Sequence, residues 1–225
     1  NEDEEQQGEG VLSVTPGDDG TLELLQAFSD EEGNSDRSVV IVKDGTLRPV
    51  RGERTIIDRK EDRRVVARTL YGDLRPDTFG VRIAQLTFSP AASTDASDTR
   101  CSPLSIDEDY FYDNDASLFL WRTLRFEQGY TVTYTNVIAG RRDKRAITLR
   151  VRKQEKVTTA AGEFDAWAVG IEGEGRETQR AWFATTPDHK LLAYNNSEGQ
   201  VFLYAGEAEQ PDPDPPGDLP EKCRG

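Results

Sequence analysis

The sequence predicts a mainly β protein, an antiparallel meander that forms a curved sheet or a barrel-like β domain. Two observations carry that prediction. Through most of residues 37–205 apolar and polar residues alternate at period two, on runs rich in Val, Ile, Thr and aromatic residues. Asp, Gly and Pro clusters break the runs at short intervals, and connections of about two to five residues imply antiparallel pairing. About ten such strands must curl or close to limit exposed edges.

The elements follow in chain order. Residues 1–36 carry twelve acids and no Lys or Arg, so they read as an acidic N-terminal arm. Within the arm "GVLSV" (10–14) has the make-up of a short strand. Leu22, Leu25 and Phe28 recur at near-helical spacing, with Asp and Thr before them and Gly33 after, which predicts a short amphipathic helix near 20–29. That helix either packs on its own domain or docks on another subunit. Residues 37–205 form a single antiparallel β domain. Its first strands are "RSVVIVKDG", "TLRPVRGERTIID", "RRVVARTLYG" and "GVRIAQLTF", with Pro49 expected at a strand start, bulge or edge. Residues 89–106 read as a loop. A short helix is expected near 114–123, capped by Asn114 or Asp115. After Gly129 the β pattern resumes. Residues 206–225 are an extended, Pro- and acid-rich C-terminal tail.

Charge is unevenly placed. The chain totals −14. The arm holds −12 and the tail −4, so residues 37–205 carry +2, and residues 37–68 alone carry ten bases against five acids. The arm is either a solvated, solubilising segment or a tether for that basic stretch, in its own chain or a neighbour's. A net charge of −14 opposes nucleic acid as a partner. No run approaches the roughly 18 apolar residues of a membrane span, the longest apolar cluster being "LFLW" at 118–121. The absence of methionine, even at position 1, reads as a processed, exported chain, and any lipid anchor would precede Asn1.

Two cysteines in an exported chain predict one disulfide, Cys101 to Cys223, pinning the tail to the body. Their spacing fits no zinc motif. The acids Asp109, Asp113 and Asp115 raise a weak calcium alternative, against which stand the missing glycine and distal glutamate of an EF-hand loop. The other reading is a helix cap within a surface acidic cluster. No metal or other cofactor is expected.

The stretch "KVTTAAGEFDAWAVGIEG" (156–173) reads as a hairpin turning at Gly162. Phe164, Ala166 and Ala168 share one face of its second strand, and Asp165, Trp167 and Val169 the other. An aromatic on each face predicts a sheet covered on both sides near this turn, with Gly162, Phe164 and Trp167 as the hairpin core. Trp182, Phe183 and Tyr194 form an aromatic strand region further on.

Three stretches in order, "YDNDASLFLWRTLRFEQGY" (112–130), "VRKQEKVTTAAGEFDAWAV" (151–169) and "RAWFATTPDHKLLAYNN" (180–196), resemble a bacterial exported family known only as domain of unknown function 3108. The resemblance spans roughly residues 45–205. It implies an extracytoplasmic, mostly antiparallel β domain, often on a secreted or lipid-anchored chain, and no catalytic residues.

The residues themselves point away from catalysis. There is no Gly-x-Ser-x-Gly, phosphate loop or dinucleotide fingerprint, and the lone His189 in "TTPDHKLL" reads as an exposed turn residue. The expectation is a non-enzymatic extracytoplasmic domain, secreted, periplasmic or on the cell surface. Its role would be that of a structural, assembly or interaction subunit, paired with itself through the arm or with another surface protein. The alternative is a carrier of a lipid or other apolar ligand in a barrel-like cavity.

Overall fold

Fourteen strands make up two seven-stranded sheets in a computed structural model that describes residues 8–196, 200–207 and 214–224. The first sheet is a pure meander of β1 (Gly8–Pro16), β2 (Thr21–Asp30), β3 (Ser35–Lys43), β4 (Pro49–Asp58), β5 (Arg63–Arg75), β6 (Thr78–Phe88) and β7 (Asp98–Ser105). The second contains β8 (Phe111–Asp113), β9 (Thr131–Ile138), β10 (Asp143–Thr159), β11 (Gly162–Gly173), β12 (Arg176–Ala184), β13 (Leu191–Asn195) and β14 (Val201–Leu203), again in chain order. All pairs are antiparallel except β8 with β9. Pro49 opens β4 opposite a register shift in β3, where its missing N–H costs no ladder bond.

The expected helix near 20–29 is a strand. In β2 the even residues Leu22, Leu24 and Phe28 turn toward the second sheet and the short helix, while Leu25 packs with Val39 and Ile41 on the opposite face. Apolar residues on both faces of one strand abolish the alternation and imitate a helical stripe. The arm therefore does not extend to residue 36. Residues 8–16 and 21–30 are the first two strands of the sheet, and only residues 1–7, which lie outside the described residues, remain of it.

Part of the basic excess of residues 37–68 is engaged within the chain. Arg54 bonds Asp36 and Asp115, Arg68 bonds Glu53, Arg59 reaches the Gly33 carbonyl and Arg64 the Ser93 carbonyl.

The chain between β8 and β9 is the plug of the fold. A 3-10 turn (Asn114–Ala116), the one-turn helix α1 (Ser117–Leu120) and a second 3-10 turn (Trp121–Thr123) lie where a short helix was expected. Ala116 and Phe119 pack on Leu24, Val40 and Val42 of the first sheet. Leu118 and Trp121 pack on Leu149, Val169, Ile171 and Phe183 of the second. A third cluster joins Tyr71, Val81 and Ile83 to Phe111 and Val137. These side chains fill the space between the sheets.

The tail is a strap. Glu53, Arg68, Ala84 and Cys101 stand side by side on β4, β5, β6 and β7, one row across the outer face of the first sheet. The tail runs along that row. Gly217 N–H donates to Glu53 Oε2 (3.1 Å), Arg68 Nη1 donates to the Asp218 carbonyl (2.9 Å), and Leu219 and Cys223 pack on Ala84. The Cys101–Cys223 disulfide fastens its end, with Cα atoms 5.2 Å apart and a sequence separation of 122. A Cβ on Gly217 would stand 2.6 Å from the Arg68 guanidinium, which would have to move aside.

Candidate functional site

The residues singled out in the sequence divide between two faces of the second sheet. The hairpin turns at Ala160–Ala161, with Thr159 opposite Gly162. Gly162 has φ +129°, a conformation that favours glycine. Trp167 pairs with Phe183 and both join the interior cluster, where Tyr194 also packs. Phe164 and Trp182 lie on the outer face, around Ala166, Ala184 and Leu192, and Tyr204 closes over Phe164 with ring centroids 6.1 Å apart. Trp182 Nε1 donates to Glu155 Oε1 (2.6 Å), and Tyr194 Oη donates to Gln179 (2.8 Å). Trp167, Phe183 and Tyr194 pack inside, and Phe164 and Trp182 pack half-buried on the outer face. His189 sits in the β12–β13 turn as expected but is half-buried, its ring 4.1 Å from that of Phe126 and its Nδ1 3.1 Å from the Ala184 carbonyl.

Asp107, Glu108 and Asp109 lie at the surface, the first two beside Lys144, whereas Asp113 and Asp115 turn inward. Asp113 is 3% exposed and caps the first 3-10 turn, accepting from Asp115 N–H (2.9 Å). Its other oxygen accepts from Tyr71 Oη (2.6 Å). Asp115 accepts from Arg54 Nη1 (3.3 Å), and Arg54 also forks onto Asp36 (2.9 and 2.5 Å). From Asp115 the network continues inward. Asn114 Nδ2 donates to Asp115, and Asn136 donates to Asn114. Ser117, Tyr134 and Trp121 Nε1 complete the polar line through the core.

Burial pushes Asp113 up to about 7, with the Asp115 charge adding to the rise, while Tyr71 and Arg54 pull against it. Burial also raises Asp115, with Arg54 opposing. Arg54 is held firmly cationic, first by its bonds to Asp36. The Tyr71 hydroxyl is raised well above its usual range by burial and by Asp113, so it stays a neutral donor. About 20 Å³ of space remains beside the cluster, lined by Gly52, Thr69, Gly140 and the two aspartates, room for one water.

The acids of the calcium alternative already have partners within the chain. Asp113 and Asp115 are committed to Tyr71, a backbone N–H and a guanidinium, and Asp109 is exposed, with its carbonyl accepting from Arg48. Among the described residues no three His, Cys, Asp or Glu side chains are grouped to hold a metal. Arg54 is the cation that faces Asp115. Nothing in the spacing of the acids singled out Arg54 or Tyr71. The available signal was the alternation of β4, which turns Gly52 and Arg54 to the same inward face, and a half-buried arginine on that face calls for a nearby acid. Tyr71→Phe is expected to cost about 1–2 kcal/mol by leaving a lone pair of Asp113 unpaired, read by urea denaturation at pH 8.

A separate cleft of about 380 Å³ lies between the β3–β4 turn and the 110–123 segment. Leu47 and Arg48, in the β3–β4 turn, form one wall, and Tyr110, Tyr112, Leu120 and Thr123 the other.

The family model described as "Protein of unknown function (DUF3108)" matches residues 12–195. The chain belongs to this family. The match begins inside β1, well before the region of resemblance read from the sequence, so in this DUF3108 chain the first two strands are part of the family's domain. No curated protein matches the chain. Among solved structures, a beta-barrel-like protein of domain of unknown function DUF1849 from Brucella abortus is similar, at 11% identity and a TM-score of 0.33 over 88% of this chain and 89% of that one.

Proposed function

We propose that this DUF3108 chain is a non-enzymatic, extracytoplasmic β module that acts as a structural or interaction subunit. The observation that carries this is the strap. A disulfide that closes a sequence separation of 122 and ties the tail across the outer face of a sheet suits an oxidising compartment and a domain used as a rigid body. Support also comes from the interior, whose shifted carboxylates are sealed behind Tyr71 and Arg54 with space for one water and none for a substrate. An apolar cargo would need several hundred cubic ångströms between the sheets. The helix plug, Trp121, Tyr134 and Phe183 occupy that place. No described helix is long and apolar enough to cross a membrane.

Two measurements on protein from its own cells test the reading. Rapid alkylation before lysis should find Cys101 and Cys223 blocked to the reagent, and free thiols would overturn the compartment. Native mass spectrometry should show a multimer or a complex with a second protein, and a bare monomer would overturn the subunit role. A truncation made to probe the acidic arm must stop before Gly8, since a cut at residue 36 removes β1 and β2.

A further inference from the structure

We propose that the rim cleft between the β3–β4 turn and the 110–123 segment is a binding site for an acidic saccharide, a sugar ring bearing a carboxylate. Three independent features meet there.

The first is Tyr110. It is 69% exposed, in a fold that puts its other large aromatics into packing. A tyrosine face turned to solvent beside a cleft offers a platform for the C–H face of a ring, and its hydroxyl offers a polar handle. The second is Arg48. Its guanidinium lies over the rings of Phe111 (4.6 Å) and Tyr112 (5.8 Å), and one N–H is spent on the Asp109 carbonyl. Among the described residues no carboxylate lies within ion-pair distance of it; Arg64, stacked over Phe88, shares that pattern, but it is Arg48 that borders the cleft. A planar fork fixed by stacking, with donors left over, is suited to a carboxylate. The third is Leu47. It has φ +53°, a left-handed conformation that a leucine adopts at a cost. Leu47 N–H donates to the Lys43 carbonyl and Lys43 N–H to the Arg48 carbonyl, so the turn holds Leu47 on the cleft wall and sets Arg48 against β8.

The walls decide the ligand class. A cleft of about 380 Å³ is large enough for a monosaccharide unit or two, and it is open to solvent on one side. An apolar ligand would leave much of its surface wet there. A sugar ring needs what is present: aromatic and aliphatic surface from Tyr110, Leu47 and Leu120, and polar groups for its hydroxyls from Thr123 and Arg48. Thr123 Oγ1 donates to the Leu120 carbonyl, which leaves its lone pairs as acceptors. The proposal does not depend on the compartment or the oligomeric state of the protein.

The test is titration of the intact, disulfide-bonded protein with trigalacturonate, maltotriose and the tripeptide acetyl-Gly-Gly-Phe. It would be followed by calorimetry and by amide chemical shifts in about 0.15 M salt, so that the net negative charge does not repel the acidic probes. Trigalacturonate is expected to bind with Kd of about 1 mM or tighter, shifting amides of Gly45, Tyr110 and Thr123. Tyr110→Ala removes an exposed side chain, so it should fold normally and weaken trigalacturonate about tenfold or more. Arg48→Gln should abolish the preference for trigalacturonate over maltotriose. Absence of saturable binding, binding unchanged by Tyr110→Ala, or tighter binding of either maltotriose or the tripeptide would overturn the assignment.

Discussion

Reduction of the Cys101–Cys223 disulfide is expected to lower stability by about 4–5 kcal/mol, the loop-closure entropy that a cross-link over more than a hundred residues removes from the unfolded chain. The separation of 122 residues sets this size. For a chain this long the loss corresponds to a fall in Tm of roughly 10–15 °C. The folded side of the balance changes less, because the strap has other attachments. Glu53 accepts from Gly217 and Arg68, Arg68 reaches the Asp218 carbonyl, and Leu219 stays buried on Ala84 and Leu86. Cys223→Ser is therefore expected to give a protein that still folds in one transition, with the strap present but loosened. Two readouts separate the effects. Urea denaturation of the oxidised and reduced protein measures the whole-molecule loss. Hydrogen exchange at the Gly217 amide, the donor to Glu53, reports the strap itself and should accelerate in Cys223→Ser while the amides of β3 and β11 keep their protection order. A difference below about 1 kcal/mol would mean that the reduced, unfolded chain is already restrained near these ends.

Much of the fold was legible because period two is a strong signal where one face of a strand is wet. The strands from β3 to β6 and from β9 to β13 and the start at Pro49 follow from alternation and turn chemistry, while the hairpin turns just before Gly162 rather than at it and Asp113, not Asn114 or Asp115, caps the helical turn. The failure at 20–29 has the same root. Leu24 and Leu25 are both fully buried, one on each face, and a strand buried on both sides carries no alternation to read. The site was legible only in part. The sequence "YFYDND" draws attention to its acids, but whether they face water or the core depends on partners forty to sixty residues away, Tyr71 and Arg54, which no local pattern connects to them. The rim cleft is likewise a meeting of distant turns. The disulfide could be paired in advance because only two cysteines exist, whereas the row of residues it locks the tail against is a matter of register.

Arg54→Met is expected to destabilise the protein by about 2–4 kcal/mol at pH 8 and by distinctly less at pH 5. Arg54 supplies the positive charge that faces Asp115 and, at longer range, Asp113, and its removal leaves carboxylates in the interior without compensation. The pH dependence follows from proton linkage. Asp113 ionises near 3.8 without the fold and near 7 within it. Between those values the fold holds a proton that the unfolded chain has released, so stability from this group is full below pH 4, falls as pH rises from 4 to 7, and is level above 7. Protonated Asp113 needs no cation, which is why the loss of Arg54 matters less in acid. The groups that face Asp113 and Asp115 are Tyr71, Arg54, Asn114 and Asp36; burial raises Asp115 in the same direction as Asp113, so its titration adds with the same sign, and Tyr71 stays neutral throughout. Asp113→Asn gives the converse. Its amide keeps the shape of the cap, accepts from the Asp115 N–H and donates to the Tyr71 oxygen. It should raise stability by about 1–2 kcal/mol at pH 8 and change it little at pH 4. Urea titrations of the two variants and the parent at pH 4, 5 and 8 would measure all of this. An Arg54→Met loss equal at pH 5 and pH 8, with Asp113→Asn destabilising at both, would show that the aspartate is ionised and well paired in the fold and that the cluster is a conventional ion pair.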